Sequence, residues 1–357
     1  MTAATIPDDL LTDLAALSPA LESDESAWPA EQITRLAKTG VLGWVIPRDY
    51  GGLDVSPQEL VQGYVRLASA CMTTAFVLTQ RNGACQRIAG SENDSLRAEL
   101  LPALCRGDVF ATVGISHLTT SRQHLGRPAV RVEEDAGAYV LNGAAPWVTG
   151  ASHADVIVTG GTCENGRQVL AVVATGKDGV RIHPPPRLLA LNASQTGAVE
   201  FDDVRIDKDR LIAGPIEQVM KRGTGGGTGS LTTSAVAVGA ARGSLRHLER
   251  ECENRPALSE IYDPLLAECQ LLERQLFESA GGETGDAGAT IESIRTRANS
   301  LVSRAAHAYL TAAKGAGFVA GHPAERAIRE STFFLVWSCP QPVQTAALRE
   351  FACLLPP

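Results

Sequence analysis

Over residues 7–107, apolar side chains recur at helical spacing between short turns. After Trp28-Pro29, the residues Ile33, Leu36, Ala37 and Val41 fall on one face, and Gly40 or Gly43 ends the run. Ser56-Pro57-Gln58-Glu59 has the form of an N-cap with proline at the first helical position, opening a helix through Leu60, Val61, Tyr64, Val65 and Leu67. From residue 109 to about 211 the period changes. Short Val- and Ile-rich runs at 130–132, 138–141, 154–158, 169–173 and 198–201 are broken by Gly, Asp and Pro, and predict a small β-barrel or sandwich. Asn142-Gly143 and Lys177-Asp178-Gly179 supply turn chemistry between them.

Beyond Arg222 a glycine-rich join at 223–229 leads into Ala-rich helices. One is expected to open at Asp263-Pro264 and to run through Leu265, Leu266, Cys269, Leu272 and Leu276. Another runs from about Thr290 to Lys314 and stops at Gly315. A third follows Pro323 through Phe334 and Trp337 to Pro340, and Pro342 begins a short last one. The pattern predicts a multidomain α+β chain. It has an N-terminal all-α domain at 1–108, a middle β-barrel domain at 109–222, and a C-terminal four-helix-bundle domain at 223–357.

Composition narrows the class. A length of 357 residues, 44% hydrophobic and 20% charged, is that of an ordinary globular protein of two or three units. A net charge of -8 argues against a nucleic-acid partner, because phosphate recognition needs a concentrated excess of Lys and Arg. The eight cysteines are dispersed without a CxxC, and the seven histidines show no HExxH, so neither zinc nor a disulfide framework is indicated. Reduced thiols fit a cytoplasmic setting. The first residues lack the basic region of a secretory signal, and no stretch approaches the ~18 apolar residues of a membrane span. The 223–229 glycines lack the Lys-Ser/Thr of a phosphate-binding loop.

Several segments carry a resemblance. They are Gly43-Trp44-Val45-Ile46-Pro47-Arg48-Asp49-Tyr50-Gly51-Gly52; Tyr139-Val140-Leu141-Asn142-Gly143 followed by Pro146-Trp147-Val148-Thr149-Gly150; Val199-Glu200-Phe201-Asp202-Asp203-Val204; and Pro323-Ala324-Glu325-Arg326. In this order the chain resembles the acyl-CoA dehydrogenase superfamily. The resemblance implies FAD held between the β domain and the bundle, an acyl-CoA or other thioester as substrate, and a homo-dimer or homo-tetramer packed through the bundle. In the family, flavin accepts a hydride from the thioester's β-carbon while a Glu removes the α-proton.

The resemblance also implies site residues. Trp147, Val148 and Thr149 match the segment in which an aromatic ring covers the flavin and a Thr hydroxyl bonds its edge. Ser116, Thr119, Thr120, Ser121 and Arg122 fall where the family has a flavin-side loop, here without its usual Glu, Pro and glycines. Arg255, with Leu258 where an aromatic is usual, matches an Arg that reaches a neighbouring subunit's FAD. Thr311 and Lys314 occupy places that are usually Gln and glycine. At the usual catalytic Glu stands Ser338, after Trp337 and before Cys339, and a second known base position falls near Gly229 or Ser230. Three readings follow: a thioester-oxidising flavoenzyme, a flavin-dependent monooxygenase or oxidase that needs no such base, and a catalytically silent binding protein or subunit of an active paralogue.

Overall fold

The computed structural model describes residues 6–22, 24, 26–119, 127–221, 231–282 and 290–354. The first helices are α1 (Asp8–Leu17), α2 (Ala30–Lys38), α3 (Pro57–Ala70), α4 (Met72–Ala89) and α5 (Asp94–Arg106). Gly40, at φ 77°, turns the chain out of α2 in the left-handed region that glycine tolerates. The Ser56 signal forms a complete capping box. The Ser56 hydroxyl accepts from the Glu59 amide at 3.2 Å, and the Glu59 carboxylate accepts from the Ser56 amide at 2.9 Å. Ser56→Ala is expected to lower stability by about 1 kcal/mol, read as a lower urea midpoint.

Helix α4 is buried on nearly every face although it carries Thr73, Thr74, Thr79, Arg81 and Asn82. Several of its polar groups are matched internally, although Arg81 Nε meets no partner among the described residues. Fully buried Arg81 donates to the Leu42 carbonyl at 2.9 Å, to Asn82 Oδ1 at 3.1 Å and to the Leu104 carbonyl, tying α4 to the 41–43 turn and to the end of α5. Asn82 in turn donates to the Tyr64 hydroxyl at 2.9 Å.

The middle of the chain runs β1 (Ala111–Gly114), α6 (Ser116–Thr119), β2 (Val130–Asp135), β3 (Ala138–Thr149), β4 (Val156–Cys163), β5 (Gln168–Ala174), β6 (Val180–Ile182), β7 (Thr196–Ile206) and β8 (Leu211–Ile216). One sheet results, in the order β6-β7-β3-β2-β4-β5-β8, with β1 parallel to β4. Alternation separates two cores. Ile157, Val169, Ala171 and Val173 join Val132, Leu141, Val148, Val199 and Phe201 inside the sheet's own fold. Val158, Leu170 and Val172 face Cys85 and Ile88 of α4 and Leu100 and Leu104 of α5. The sheet therefore curls around an interior as a barrel does, but among the described residues its hydrogen-bonded path stays open between β6 and β8.

Asn142-Gly143 is not a turn. It lies inside β3 at a register shift, while the hairpin turn is Ala136-Gly137, whose φ values of 46° and 84° are the double positive pair of a tight hairpin. The strands β1, β6 and β8 carry too few alternating residues, or a Gly-Pro, to announce themselves.

The last helices are α7 (Leu231–Asn254), α8 (Ser259–Gly281), α9 (Ile291–Gly317), α10 (Pro323–Thr332) and α11 (Gln341–Phe351), with a 3-10 turn at Phe333–Leu335. Helix α8 begins before the expected Asp263-Pro264, because the turn at Pro256–Leu258 feeds directly into it. Pro264 lies inside, and the carbonyl it leaves unpaired belongs to exposed Glu260, where water can serve it. One apolar core joins both ends of the chain: Leu14, Leu36, Trp44, Tyr64, Leu67 and Phe76 pack with Val236, Leu245, Leu272, Leu276, Leu301 and Phe334. The sheet lies against α4 and α5, beside that core. The seam where sheet, α4 and bundle meet holds the site. The glycine-rich 223–229 join and the Gly229/Ser230 position lie outside the described residues.

Candidate active site

At this seam a cavity of about 670 Å³ is lined by β1, β3 and β7, by α4, by the start of α7, by Leu188–Leu191, and by the segment from Arg329 to Ser338. The β3 wall is shaped by a bulge. Between Ala145 and Val148, two residues oppose one on β7, so Pro146 and Trp147 are pushed outward. Trp147 lines the cavity with 49% of its surface exposed. Val148, next along, sends its side chain into the sheet core and away from the cavity. Thr149 returns to the cavity wall.

Thr149 begins a row of hydroxyls. Thr149 Oγ1 lies 3.0 Å from Thr196 Oγ1, which lies 2.8 Å from Ser194 Oγ, and the Thr149 carbonyl accepts from Thr112 at 2.7 Å. Across from them Ser116 Oγ is buried and meets no hydrogen-bond partner among the described residues. A buried hydroxyl without a partner is uncommon, and it marks a place where a ligand atom would be satisfied. Thr119 lines the same cavity and donates to the Ser116 carbonyl at 3.1 Å. Thr120, Ser121 and Arg122 lie outside the described residues. His117 is a core histidine, its Nε2 lying 2.9 Å from the Gly160 carbonyl.

The opposite end is aromatic. Phe333 and Trp337 stack at 5.2 Å, and Phe76 of α4 meets both edge-on at 4.9 and 5.0 Å. The Trp337 carbonyl accepts from Arg295 at 2.9 Å. Ser338 then takes φ 44°, a conformation that side-chain-bearing residues adopt at a cost, and it lines the cavity. Cys339 does not line it, and burial pushes its thiol above the ordinary range against the weaker pull of Arg295. It is therefore a neutral thiol near pH 7 and not a base.

The described lining contains no Asp, Glu, His or Cys. Its cations are Arg87, only 7% exposed and lowered to about 10 by burial, and Arg329. Arg329 is a wall tie, donating to Glu22 at 2.9 Å, to the Leu189 carbonyl at 3.1 Å and to Glu325.

Arg255, Thr311 and Lys314 form a second group, at the far ends of α7 and α9, and none of them lines the cavity. The Arg255 guanidinium is held by Glu251 and by the Ala312 carbonyl, each at 2.5 Å. Thr311 donates to the His307 carbonyl at 2.8 Å. Lys314 interrupts α9 at φ 56° and ψ -148°, a region almost reserved for glycine. The lysine thus keeps a glycine's backbone at a place where the resemblance expects glycine.

Two likenesses bear on this arrangement. Residues 12–108 match the family model of the acyl-CoA dehydrogenase N-terminal domain. The whole fold, over 97% of this chain and 95% of the other, superposes on a glutaryl-coenzyme A dehydrogenase in complex with glutaryl-CoA, with a TM-score of 0.80 at 18% identity. Over residues 12–108, and in its whole fold, the chain is similar to members of the acyl-CoA dehydrogenase superfamily. Among curated relatives of this superfamily, a probable acyl-CoA dehydrogenase of Mycobacterium tuberculosis, FadE25, is 29% identical over 242 residues, which is 63% of this chain and 59% of that protein. The chain thus matches less than two thirds of that relative's length. The dibenzothiophene monooxygenase TdsC of Paenibacillus shares the fold at a TM-score of 0.77 and 18% identity, covering 98% of this chain and 97% of the other.

The cavity residues fit the ring system of a flavin, the cofactor that the acyl-CoA dehydrogenase fold implies. A planar half-exposed indole, a row of hydroxyls and an unpartnered Ser116 hydroxyl offer a stacking face and polar contacts to a heteroaromatic edge. Phe76, Thr196, Ser194 and Arg87 were not singled out in the sequence. For Phe76 and Arg87 the one local signal was their helix, α4, which is polar on several faces. Thr196 and Ser194, on and just before β7, had none.

Proposed function

We propose that the protein is a flavin-dependent oxidoreductase that binds FAD and acts on an acyl thioester or a related substrate. The observation that carries this reading is the convergence of Trp147, the Thr149–Thr196–Ser194 hydroxyls and the unpartnered Ser116 on one cavity. Bound there, flavin supplies two-electron chemistry: it accepts hydride, and once reduced it can react with oxygen. The chain's own residues do the rest. Trp147 would lie flat against one ring face, Thr149 and Ser116 would fix the ring edges, and the Phe76–Phe333–Trp337 cluster would exclude water from the substrate's reacting carbon. The exposed Phe318 and Val319 beside Lys314 support assembly through the bundle end, where Arg255 could meet a neighbour's cofactor.

One observation favours a second reading, a flavin-dependent monooxygenase or oxidase. A positioned base contributes about 10²–10⁴-fold, and the described lining offers no carboxylate or imidazole to take a thioester's α-proton. Purified protein is expected to take up FAD with a bound flavin spectrum. Anaerobic bleaching by an acyl-CoA supports dehydrogenation. Flavin that stays oxidised with every thioester, yet consumes oxygen with substrate after external reduction, supports the second reading. Protein that takes up no flavin sinks both.

Ser338→Glu tests the place of the missing base. If Ser338 stands at that position, the variant should gain thioester-dependent flavin reduction by about 10²-fold or more over the parent. No gain, with FAD still bound, would remove Ser338 from that role.

A further inference from the structure

A second cavity, of about 240 Å³, lies between α1, the end of α3, α7, α9 and α10, and shares no lining residue with the larger one. Gly239 and Gly243 let α7 approach α3 closely: a Cβ on Gly239 would lie 2.4 Å from the Val65 carbonyl oxygen. Past this close contact, α7 presents Arg246, His247 and Arg250 to the cavity, and α10 presents Arg326 from the other side. Ser69 holds Arg246 through its carbonyl. The Arg250 and Arg326 guanidiniums donate no hydrogen bond to any described residue, although the Arg326 backbone amide donates to the His322 carbonyl at 3.1 Å. Among the described lining residues the one carboxylate is Glu330.

The charges are unbalanced. His247 stacks on Tyr309 at 5.0 Å and is lowered to about 4, first by burial and then by Arg250, Arg246, Arg326 and His322. Arg246 is lowered by burial and by Arg242 and Arg250. Burial pushes Glu330 up to about 7 against the pull of Arg326, with Glu22 and Glu325 adding to the rise and Arg329 opposing it. Near neutral pH, three guanidiniums therefore face a carboxylate that is only partly ionised. Arg326 is partly buried, and Arg246 and Arg250 are exposed at the rim. Cations held together in this way repel one another, and an oxyanion would both relieve this repulsion and take the unused N–H groups.

We propose that this cavity binds a small dianion of the phosphate class between Arg246, Arg250 and Arg326. Its volume falls below the ~300–1,000 Å³ of ordinary small-molecule pockets, so it suits inorganic phosphate or a compact phosphomonoester. The site is independent of the flavin reading, since the two cavities have no residue in common.

The test is calorimetry on the full chain with sulfate, inorganic phosphate and glycerol 3-phosphate, together with the imidazole resonances of His247. All three probes should bind. Arg250→Gln and Arg326→Gln should each weaken binding about tenfold or more, the loss expected for a charged hydrogen bond. Glu330→Gln, which removes the competing carboxylate, should tighten it. Sulfate should move the His247 titration upward, a response that loose surface binding would not produce. Tighter binding of the phosphomonoester than of phosphate identifies an esterified ligand, and the reverse identifies the free ion. No binding by about 10 mM, where any affinity is weaker than ~3 kcal/mol, would overturn the proposal. So would arginine variants that bind as the parent does, or a His247 titration that sulfate leaves in place. Flavin uptake is expected to stay unchanged in all these variants, so a colourless protein would count only against the flavin reading.

Discussion

Trp44→Ala is expected to lower stability by about 3–5 kcal/mol, the range for emptying a large aromatic from a packed core. Trp44 is 1% exposed and sits edge-on to Tyr64 at 6.1 Å. Its ring fills the space that Gly63 leaves open on α3, where a Cβ would lie 2.4 Å from the indole. Against a domain stability of about 5–15 kcal/mol, this one ring is a large fraction of the total. The same geometry makes a sharper prediction. Gly63→Ala alone should destabilise, because the added methyl collides with the ring. In the Trp44→Ala background the collision is gone, and alanine's helix preference of about 1 kcal/mol over glycine should make the same change neutral or stabilising. Urea midpoints of the four proteins decide it, and a Gly63→Ala effect of equal sign in both backgrounds would contradict the packing.

The three-part organisation was legible because the hydrophobic period changes twice, from helical to alternating and back. What period cannot report is the partner of an apolar face. Most helices of the first and last parts show a stripe, α4 being the exception, yet nothing local says that Leu14 and Phe76 share one core with Leu272 and Phe334. Local turn chemistry misled at Asn142-Gly143, where the ladder with β7 continues through a bulge and overrides the dipeptide's preference. It held at Ser56-Pro57, because a capping box is completed within four residues and needs no distant partner.

The site divides along the same line. Trp147, Thr149, Ser116 and Thr119 were reached through motif resemblance, and they converge on one cavity. Their counterparts were not legible. Thr196 sits opposite Thr149 only because β7 pairs antiparallel with β3, and Phe76 faces Trp337 only because α4 runs under the bundle. Lys314 shows the reverse case, in which a residue type unsuited to its backbone conformation is recognisable only once the φ value is seen.

Trp147→Ala should weaken FAD binding about 30-fold while leaving the unfolding midpoint of the cofactor-free protein unchanged. The two halves of that expectation have one cause. With 49% of its surface exposed and a bulge holding it out from the sheet, the indole contributes little to the core. The neighbouring Val148 side chain, fully buried, anchors the strand in its place. The exposed half of a Trp corresponds to roughly 100 Å² available to a planar ligand, worth about 2–2.5 kcal/mol at ~25 cal/mol per Å². At 1.4 kcal/mol per decade that is about 30-fold or somewhat more in affinity. Trp147→Phe retains a flat apolar face and should recover most of it. Thr149→Val serves as the contrast, because it severs the hydroxyl row at Thr196 and should lower both cofactor affinity and stability. Flavin fluorescence titrations beside urea unfolding of each variant separate these outcomes. An unchanged affinity in Trp147→Ala would remove the indole from the cofactor face and leave the cavity without its stacking surface.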